Sequence, residues 1–346
     1  MGGRACVPAR CKGRPRRGAH PIWGLKKEIA MNFLVTGGAG FIGSHLVERL
    51  LGEGHRVLCL DNFDDFYDPA LKRRNLARSL QNPAFQLVEG DLRDERALKS
   101  IFADVEVDGV VHLAARAGVR PSVRNPAFYA DVNIRGTICL LEACRENGVR
   151  SFLFASSSSV YGNSSQVPFS EDDPVNHPIS PYAATKKAGE LLCHTYHHLY
   201  GMDIACLRYF TVYGPRQRPE MAIHHFTRSI HEGRKISLFG DGSSRRDYTY
   251  IDDAVDGTVA AVFRGHGFQI YNIGESQTIS LGELIRAVEE QVGKKAILEY
   301  LPEQPGDVRQ TFADIRKAKE QLGYNPQTKI REGLARFVQW YLEGKE

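Results

Sequence analysis

The sequence predicts an α/β fold: a doubly wound parallel sheet followed by a smaller mixed α/β region. Three observations carry this. Short apolar runs alternate with helix-length stretches over the first two thirds of the chain. The runs are continuous, as in strands covered on both faces, and not alternating. A glycine-rich turn, "VTGGAGFIG", joins the first run to the first helical stretch.

The elements follow in order. "NFLVTG" is a strand, and a helix runs over 41–52. "RVLCLD" and a helix over 69–80 form the next unit. "FQLVEGD" and 94–103 form the third, and "DGVVHLA" and 126–147 the fourth. "SFLFAS" is a strand, 181–200 a helix, and "DIACLRYF" the last strand of the series. Units of this length place their strands in parallel. After about Thr211 the rhythm breaks at "TVYGPRQRPEM". A helix over 222–232, a strand pair near 235–250, a helix over 252–264, the run "IYNIG", a helix over 281–292 and a terminal helix from about 331 form a less regular region over the carboxyl edge of the sheet. The expected domains are residues 31–210 and 211–346, with segments near 250–275 returning to the first. There is no internal repeat.

Composition narrows the function. The chain has 346 residues, 42% hydrophobic and 25% charged, ample for a large core. No run of about 18 apolar residues is present to span a membrane. Residues 1–30 carry eight Lys or Arg and one acid, a net +7, which leaves −3 for the rest of a chain whose total is +4. The body of the protein therefore shows no nucleic-acid footprint. The basic segment lacks the apolar centre of a secretory signal. It reads as a dispensable, disordered extension, or as upstream sequence before a start at Met31. Seven cysteines without a CxxC pair imply free thiols in a reducing, cytoplasmic compartment. His194 and His198 would share a helix face, but lack the companions of a zinc site, so no metal is expected.

The glycine turn admits two frames, Gly38-Gly40-Gly43 and Gly37-Gly40-Gly43. Either lets backbone approach a diphosphate at the N-terminus of the next helix, which Phe41 and Ile42 open. Asp61 ends the second strand, the position of an acid that accepts from adenosine ribose hydroxyls. Its charge, with Asp64 and Asp65 nearby, repels a 2′-phosphate, and no Arg immediately follows. The cofactor reads as NAD rather than NADP. Asp91, closing the third strand, faces the adenine edge or caps the helix after it. Asn62, Leu92, Leu113, Ala114, Ala115 and Tyr209 complete the expected cofactor wall.

In "HPISPYAATKKAGELL", Ser180 can cap a helix with Pro181 at its first position. Tyr182 and Lys186 then lie on one face. An ammonium beside a phenol lowers its pKa from about 10, as an alcohol-oxidising base beside a hydride acceptor requires. The run Ser156–Ser159 ends a strand at the ligand-binding edge of the sheet. It reads as part of the site and not as a spacer.

At these motifs the chain resembles the extended short-chain dehydrogenase/reductases, specifically the nucleotide-sugar 4-epimerases. "SSSSVYG", "PYAATKKAGE" and "YFTVYGPRQRPEMAI" are most similar to the patterns of UDP-glucuronate 4-epimerases, over residues 31–342. The resemblance implies a Rossmann-type fold and a UDP-sugar substrate. It implies a homodimer built on helices 126–147 and 181–200. It gives Ser157 the catalytic Ser/Thr place, makes Tyr182 the base, and has Lys186 hold the nicotinamide ribose. It makes Asn133 the structural Asn near the cofactor, and sets Arg246 and Asp307 against the nucleotide. Many relatives have Arg where this chain has Gln304. Related 4,6-dehydratases carry Asp-Glu before "VYG", and the decarboxylases carry Glu. Here Ser158 and Ser159 stand there, so no carboxylate is in place for elimination.

The implied reaction removes the O4 proton and the C4 hydride, turns a 4-keto sugar over, and returns hydride to the other face. A 4-keto uronate can lose CO₂, so its carboxylate must be held. Arg120, Thr211 and Arg218 are the candidates, with Arg216 as rival, because Arg pairs bidentately with carboxylates. Other readings are a UDP-glucose or UDP-N-acetylhexosamine 4-epimerase, a UDP-glucuronate decarboxylase, and a catalytically silent NAD-binding regulator.

Overall fold

The structure, a computed structural model, describes residues 30–302 and 308–344. The basic segment at the start of the chain, Ala30 apart, lies outside the described residues, as do Gln304 and Asp307.

The first part runs β1 (Asn32–Thr36), α1 (Phe41–Gly52), β2 (Arg56–Asp61), α2 (Pro69–Asn75), β3 (Phe85–Glu89), α3 (Glu95–Asp104), β4 (Gly109–His112), α4 (Val119–Arg124), α5 (Pro126–Ala130), α6 (Gly136–Glu146), β5 (Ser151–Ser157), α7 (Pro181–Tyr200) and β6 (Asp203–Tyr209). The remainder runs β7 (Thr211–Tyr213), α8 (Ala222–Glu232), β8 (Lys235–Phe239), β9 (Arg245–Tyr250), α9 (Ile251–Arg264), β10 (Phe268–Ile273), β11 (Thr278–Ser280), α10 (Leu281–Val292), β12 (Ile297–Leu301), α11 (Arg316–Leu322) and α12 (Ile330–Glu343).

Seven strands form one parallel sheet in the order β10-β6-β5-β4-β1-β2-β3. Successive residues of a strand point to opposite faces. In β1, Phe33 and Val35 join one buried cluster and Leu34 the other; in β5, Leu153 is set against Phe152 and Phe154. Helices α1 and α9 supply the first cluster, and α3, α6 and α7 the second. Each fully buried Leu or Phe is worth about 1.5–3 kcal/mol. Burial on both faces is why these strands read as unbroken apolar runs, and this is a Rossmann-type sheet. Its order reverses between β1 and β4, so their carboxyl ends frame the crevice where such sheets bind ligands.

Three expected elements differ. The helix over 69–80 stops at Asn75, whose side-chain amide turns inward to the Ala39 carbonyl at 3.0 Å; a 3₁₀ turn, Ser79–Gln81, follows. The helix over 126–147 is split, with five π-helical residues, Asp131–Arg135, between α5 and α6. The strands near 235–250 do not pair with each other. β8 pairs with β12, while β9 lies between β7 and β11.

Candidate active site

The carboxyl ends of the parallel strands open into a cavity of about 410 Å³. Gly37 begins its floor at φ +71°, and a Cβ there would lie 2.7 Å from the Ala114 amide nitrogen. A Cβ on Gly43 would stand 2.2 Å from the Gly37 carbonyl oxygen. Gly38 instead packs against the Cys59 sulfur. A Cβ on Gly38 would meet that sulfur at 2.5 Å, so packing requires this glycine too, but it is Gly37, Gly40 and Gly43 that line the cavity, and that is the frame facing a ligand. Gly40 caps α1 without a side-chain bond, and the first turn carries no acid. The N–H groups of a helix start are left to a ligand in this arrangement, which fits a diphosphate. Phe41 and Ile42 line the cavity there.

Asp61 accepts from the backbone N–H of Ala39 and of Phe63, and lies 3.6 Å from the Lys72 ammonium. Asn62 donates to Asp91 at 2.9 Å. Asp91 is held by Arg93, whose hydrogen bonds keep its carboxyl well below the usual range. Asp94, and not Asp91, caps α3. Leu92, Leu113, Ala114, Ala115 and Tyr209 also line the cavity. Asn133 does not line it. Its amide clamps the main chain of Arg116 in both directions and donates to Thr185, so it braces the wall from behind.

α7 begins where cap chemistry dictates: Ser180 Oγ accepts from the Ala183 N–H at 3.1 Å, with Pro181 at the first helical position. One turn apart, Tyr182 and Lys186 both face the cavity. Lys186 is buried, and its Nζ donates to the Ala155 carbonyl at 2.6 Å. Burial pulls its pKa down to about 8. The Tyr182 phenol differs from expectation. Burial pushes its pKa up, while a hydrogen bond with Ser157 and the charge of Arg218 pull it back in part. The Lys186 ammonium lies over the ring, 5.9 Å from its centre, and is turned toward Ala155. The serines are a strand end and a 3₁₀ turn. Ser157 Oγ accepts from the Ser159 N–H at 3.2 Å, and Ser157, Ser158 and Ser159 all line the cavity.

Thr211 and Arg218, from the segment after β6, also line the cavity. Arg218 Nε is 2.9 Å from Glu220 Oε1, yet at an angle that makes no hydrogen bond. The other expected arginines lie elsewhere. Arg216 takes a left-handed φ of +67° and pairs with Glu48 of α1 at 2.7 Å. Arg120 sits 5.0 Å over the ring of Phe239, and Arg246 donates to the carbonyls of Arg245 and Arg309; neither lines the cavity. Sequence reasoning missed Lys72, Phe66, Tyr67 and Arg116, all of which line it. Arg116 follows the strand end "HLAA" directly, a usable signal. Phe66 and Tyr67 lie in the loop after Asp61, where only the fold brings them back over the crevice.

Comparison with known proteins extends over almost the whole described chain. Residues 34–337 match the family described as GDP-mannose 4,6 dehydratase. The chain is 48% identical to a UDP-glucuronate 4-epimerase of Thermodesulfobacterium geofontis (strain OPF15), over 91% of this chain and 97% of that one. A Bacillus cereus UDP-glucuronic acid 4-epimerase, solved with UDP-glucuronic acid and NAD, superposes with TM-score 0.86 at 40% identity, over 90% of this chain and 99% of that one. A Thermotoga maritima UDP-glucose 4-epimerase, solved with UDP-glucose, gives 0.85 at 37% identity, over 91% and 100%. With its glycine turn, its Tyr182–Lys186 helix and its serine strand end on one cavity, the chain belongs to the extended short-chain dehydrogenase/reductase family of nucleotide-sugar epimerases and dehydratases.

Proposed function

We propose that this protein is an NAD-dependent UDP-sugar 4-epimerase that interconverts UDP-glucuronate and UDP-galacturonate. The observation that carries the reading is the cavity wall itself. Tyr182, read as the base, and the guanidinium of Arg218 line it together, with Arg116 engaged by Asp64, and Ser158 and Ser159 stand where elimination would need carboxylates. NAD, when bound, supplies the hydride acceptor and returns the hydride. Gly37, Gly40 and Gly43, with the open N-terminus of α1, would hold its diphosphate, and Asp61 its adenosine ribose. Lys186 would hold the nicotinamide ribose.

Tyr182 takes the O4 proton, with the Ser157 hydroxyl on the same cavity to share it. Arg218 and Thr211 hold the C6 carboxylate, so that the β-keto acid formed by oxidation keeps its CO₂. Arg218 suits this role because its partner Glu220 leaves Nε without a hydrogen bond. Incubation with UDP-glucuronate, followed by NMR, tests the assignment: UDP-galacturonate is expected. A UDP-pentose or no product overturns it.

We further propose a homodimer through α6 and α7. Leu191 and Leu199 of α7, about 80° apart around the helix, are exposed at 58% and 59%, an apolar stripe that a second copy would cover. Five free cysteines among the described residues suit the reducing cytoplasm. No helix among the described residues is long and apolar enough to cross a membrane.

A further inference from the structure

Tyr182, Lys186 and Glu190 follow one another at four-residue spacing along α7, so one helix face presents all three to the end of β5. Three consecutive residues of β5 meet them. Lys186 Nζ donates to the Ala155 carbonyl at 2.6 Å, Ser156 Oγ donates to Glu190 Oε1 at 2.6 Å, and Ser157, whose Oγ donates to Ser159 Oγ at 3.2 Å, lines the cavity with Tyr182 and pulls the pKa of its phenol down. The middle tie is buried: Ser156, Glu190 and Arg208 are each no more than 3% exposed. Arg208, from β6, grips Glu190 with a fork, Nε to Oε1 at 2.8 Å and Nη2 to Oε2 at 2.9 Å. Its remaining nitrogen donates to the Tyr161 hydroxyl at 3.0 Å, which donates on to Asn272 at 2.7 Å. Lys187 stands 3.3 Å from Oε2.

A buried ion pair is weak as a stabilising device, because desolvation offsets the attraction; apolar residues of like volume often pack the same space as well. What the fork adds is direction. A bidentate guanidinium accepts one orientation of the carboxylate, and here that orientation offers Oε1 to Ser156. Ser156 borders the cavity, but its hydroxyl is committed to Glu190. It sits between the residues that hold Lys186 and Tyr182.

We propose that Glu190, oriented by Arg208, is a positioning residue: through Ser156 it fixes the end of β5 against α7 and so sets where the Ser157 hydroxyl stands against the Tyr182 phenol. This rests on Tyr182 as the base. A Ser157 hydroxyl that donates to the phenol oxygen favours the phenolate. The other titratable or charged groups facing the phenol are Arg218, Lys186 on the same helix, and Tyr129 of α5, whose ring lies 6.5 Å away. Loosening the tie weakens the contribution of Ser157, raises the pKa of Tyr182, and moves the rising limb of kcat against pH upward.

Ser156→Ala tests this in the holoenzyme, with UDP-glucuronate as substrate. It removes the tie and leaves the Glu190–Arg208 fork intact, so the fold is retained. The rising limb should move up by about half to one pH unit, the worth of one neutral hydrogen bond. At pH 7 kcat should fall about three- to tenfold by the same shift, with KM and NAD content unchanged, and higher pH should restore it. Glu190→Gln should give the same shift with a lower Tm; where it does not fold, Ser156→Ala alone decides. An unshifted limb in Ser156→Ala, whether kcat is normal or uniformly lower, overturns the proposal while Tyr182→Phe stays inactive. An active Tyr182→Phe enzyme overturns the base assignment itself, and this proposal with it.

Discussion

Replacing Arg218 with alanine separates two things that one guanidinium does. Its charge helps pull down the pKa of Tyr182, and this serves every substrate alike. Its N–H groups are proposed to grip a carboxylate, and this serves only a uronate. A hydrogen bond to a charged group is worth about 1.5–3 kcal/mol, or roughly ten- to hundredfold in kcat/KM. Arg218→Ala should therefore lower kcat/KM for UDP-glucuronate by that factor, beyond whatever common loss it inflicts on UDP-glucose. Little stability should be lost, because Glu220, the partner left behind, is 44% exposed and can hydrate. Arg218→Lys sharpens the test. It keeps the charge, so the common loss should be small, but it lacks the planar fork, so the uronate preference should not fully return. The assay is initial rate on both nucleotide sugars for wild type and both variants, at pH 7 and at pH 9. If the ratio of the two kcat/KM values does not change in Arg218→Ala, the guanidinium acts on Tyr182 alone, and the carboxylate reading fails.

Tyr182→Phe should abolish epimerisation while UDP-sugar and NAD still bind; more than about a tenth of the activity remaining would point to another base, since a general base typically contributes 10²–10⁴-fold. Lys186→Met should trade activity for stability. The folded pKa of about 8 lies below the unfolded value near 10.4, so the buried ammonium destabilises fully below pH 8, and the penalty fades as pH rises toward 10.4. The penalty is on the order of 3 kcal/mol, less about 1 kcal/mol for leaving the Ala155 carbonyl unpartnered. Calorimetry should show the variant melting several degrees higher at pH 7 and no higher near pH 10; equal melting at pH 7 refutes a destabilising ammonium. Leu191→Glu should convert the dimer to monomer by light scattering, and an unchanged mass would move the interface elsewhere.

How much of this was legible in the sequence depends on the range over which each feature is decided. The start of α7 could be read to the residue, because a Ser cap followed by Pro is settled within four residues. The glycine turn was legible as a site but not as a frame. Choosing Gly37 over Gly38 needs Ala114, two residues past the end of β4, and Cys59, from β2. The break between α5 and α6 was hidden for the same reason: Asn133 clamps Arg116, across 17 residues of chain. The partner of β8 was out of reach because β12 arrives two helices later.

The arginines and the tyrosine make the limit plainer. Arg216 and Arg218 are two residues apart and chemically identical, yet one pairs with α1 and the other lines the cavity. The left-handed turn at Arg216 separates them, and a non-glycine residue there carries no compositional sign. Helical spacing correctly placed Lys186 beside Tyr182, but spacing fixes a face and not a direction. The ammonium donates to a carbonyl of β5 and lies over the ring, and it is not among the groups that offset burial at the phenol. Ser157 and Arg218 do that work from two other segments. The proposed base of this site is therefore tuned by groups 25 and 36 residues distant in the chain, and its pKa is a property of the packing between β5, α7 and the segment after β7.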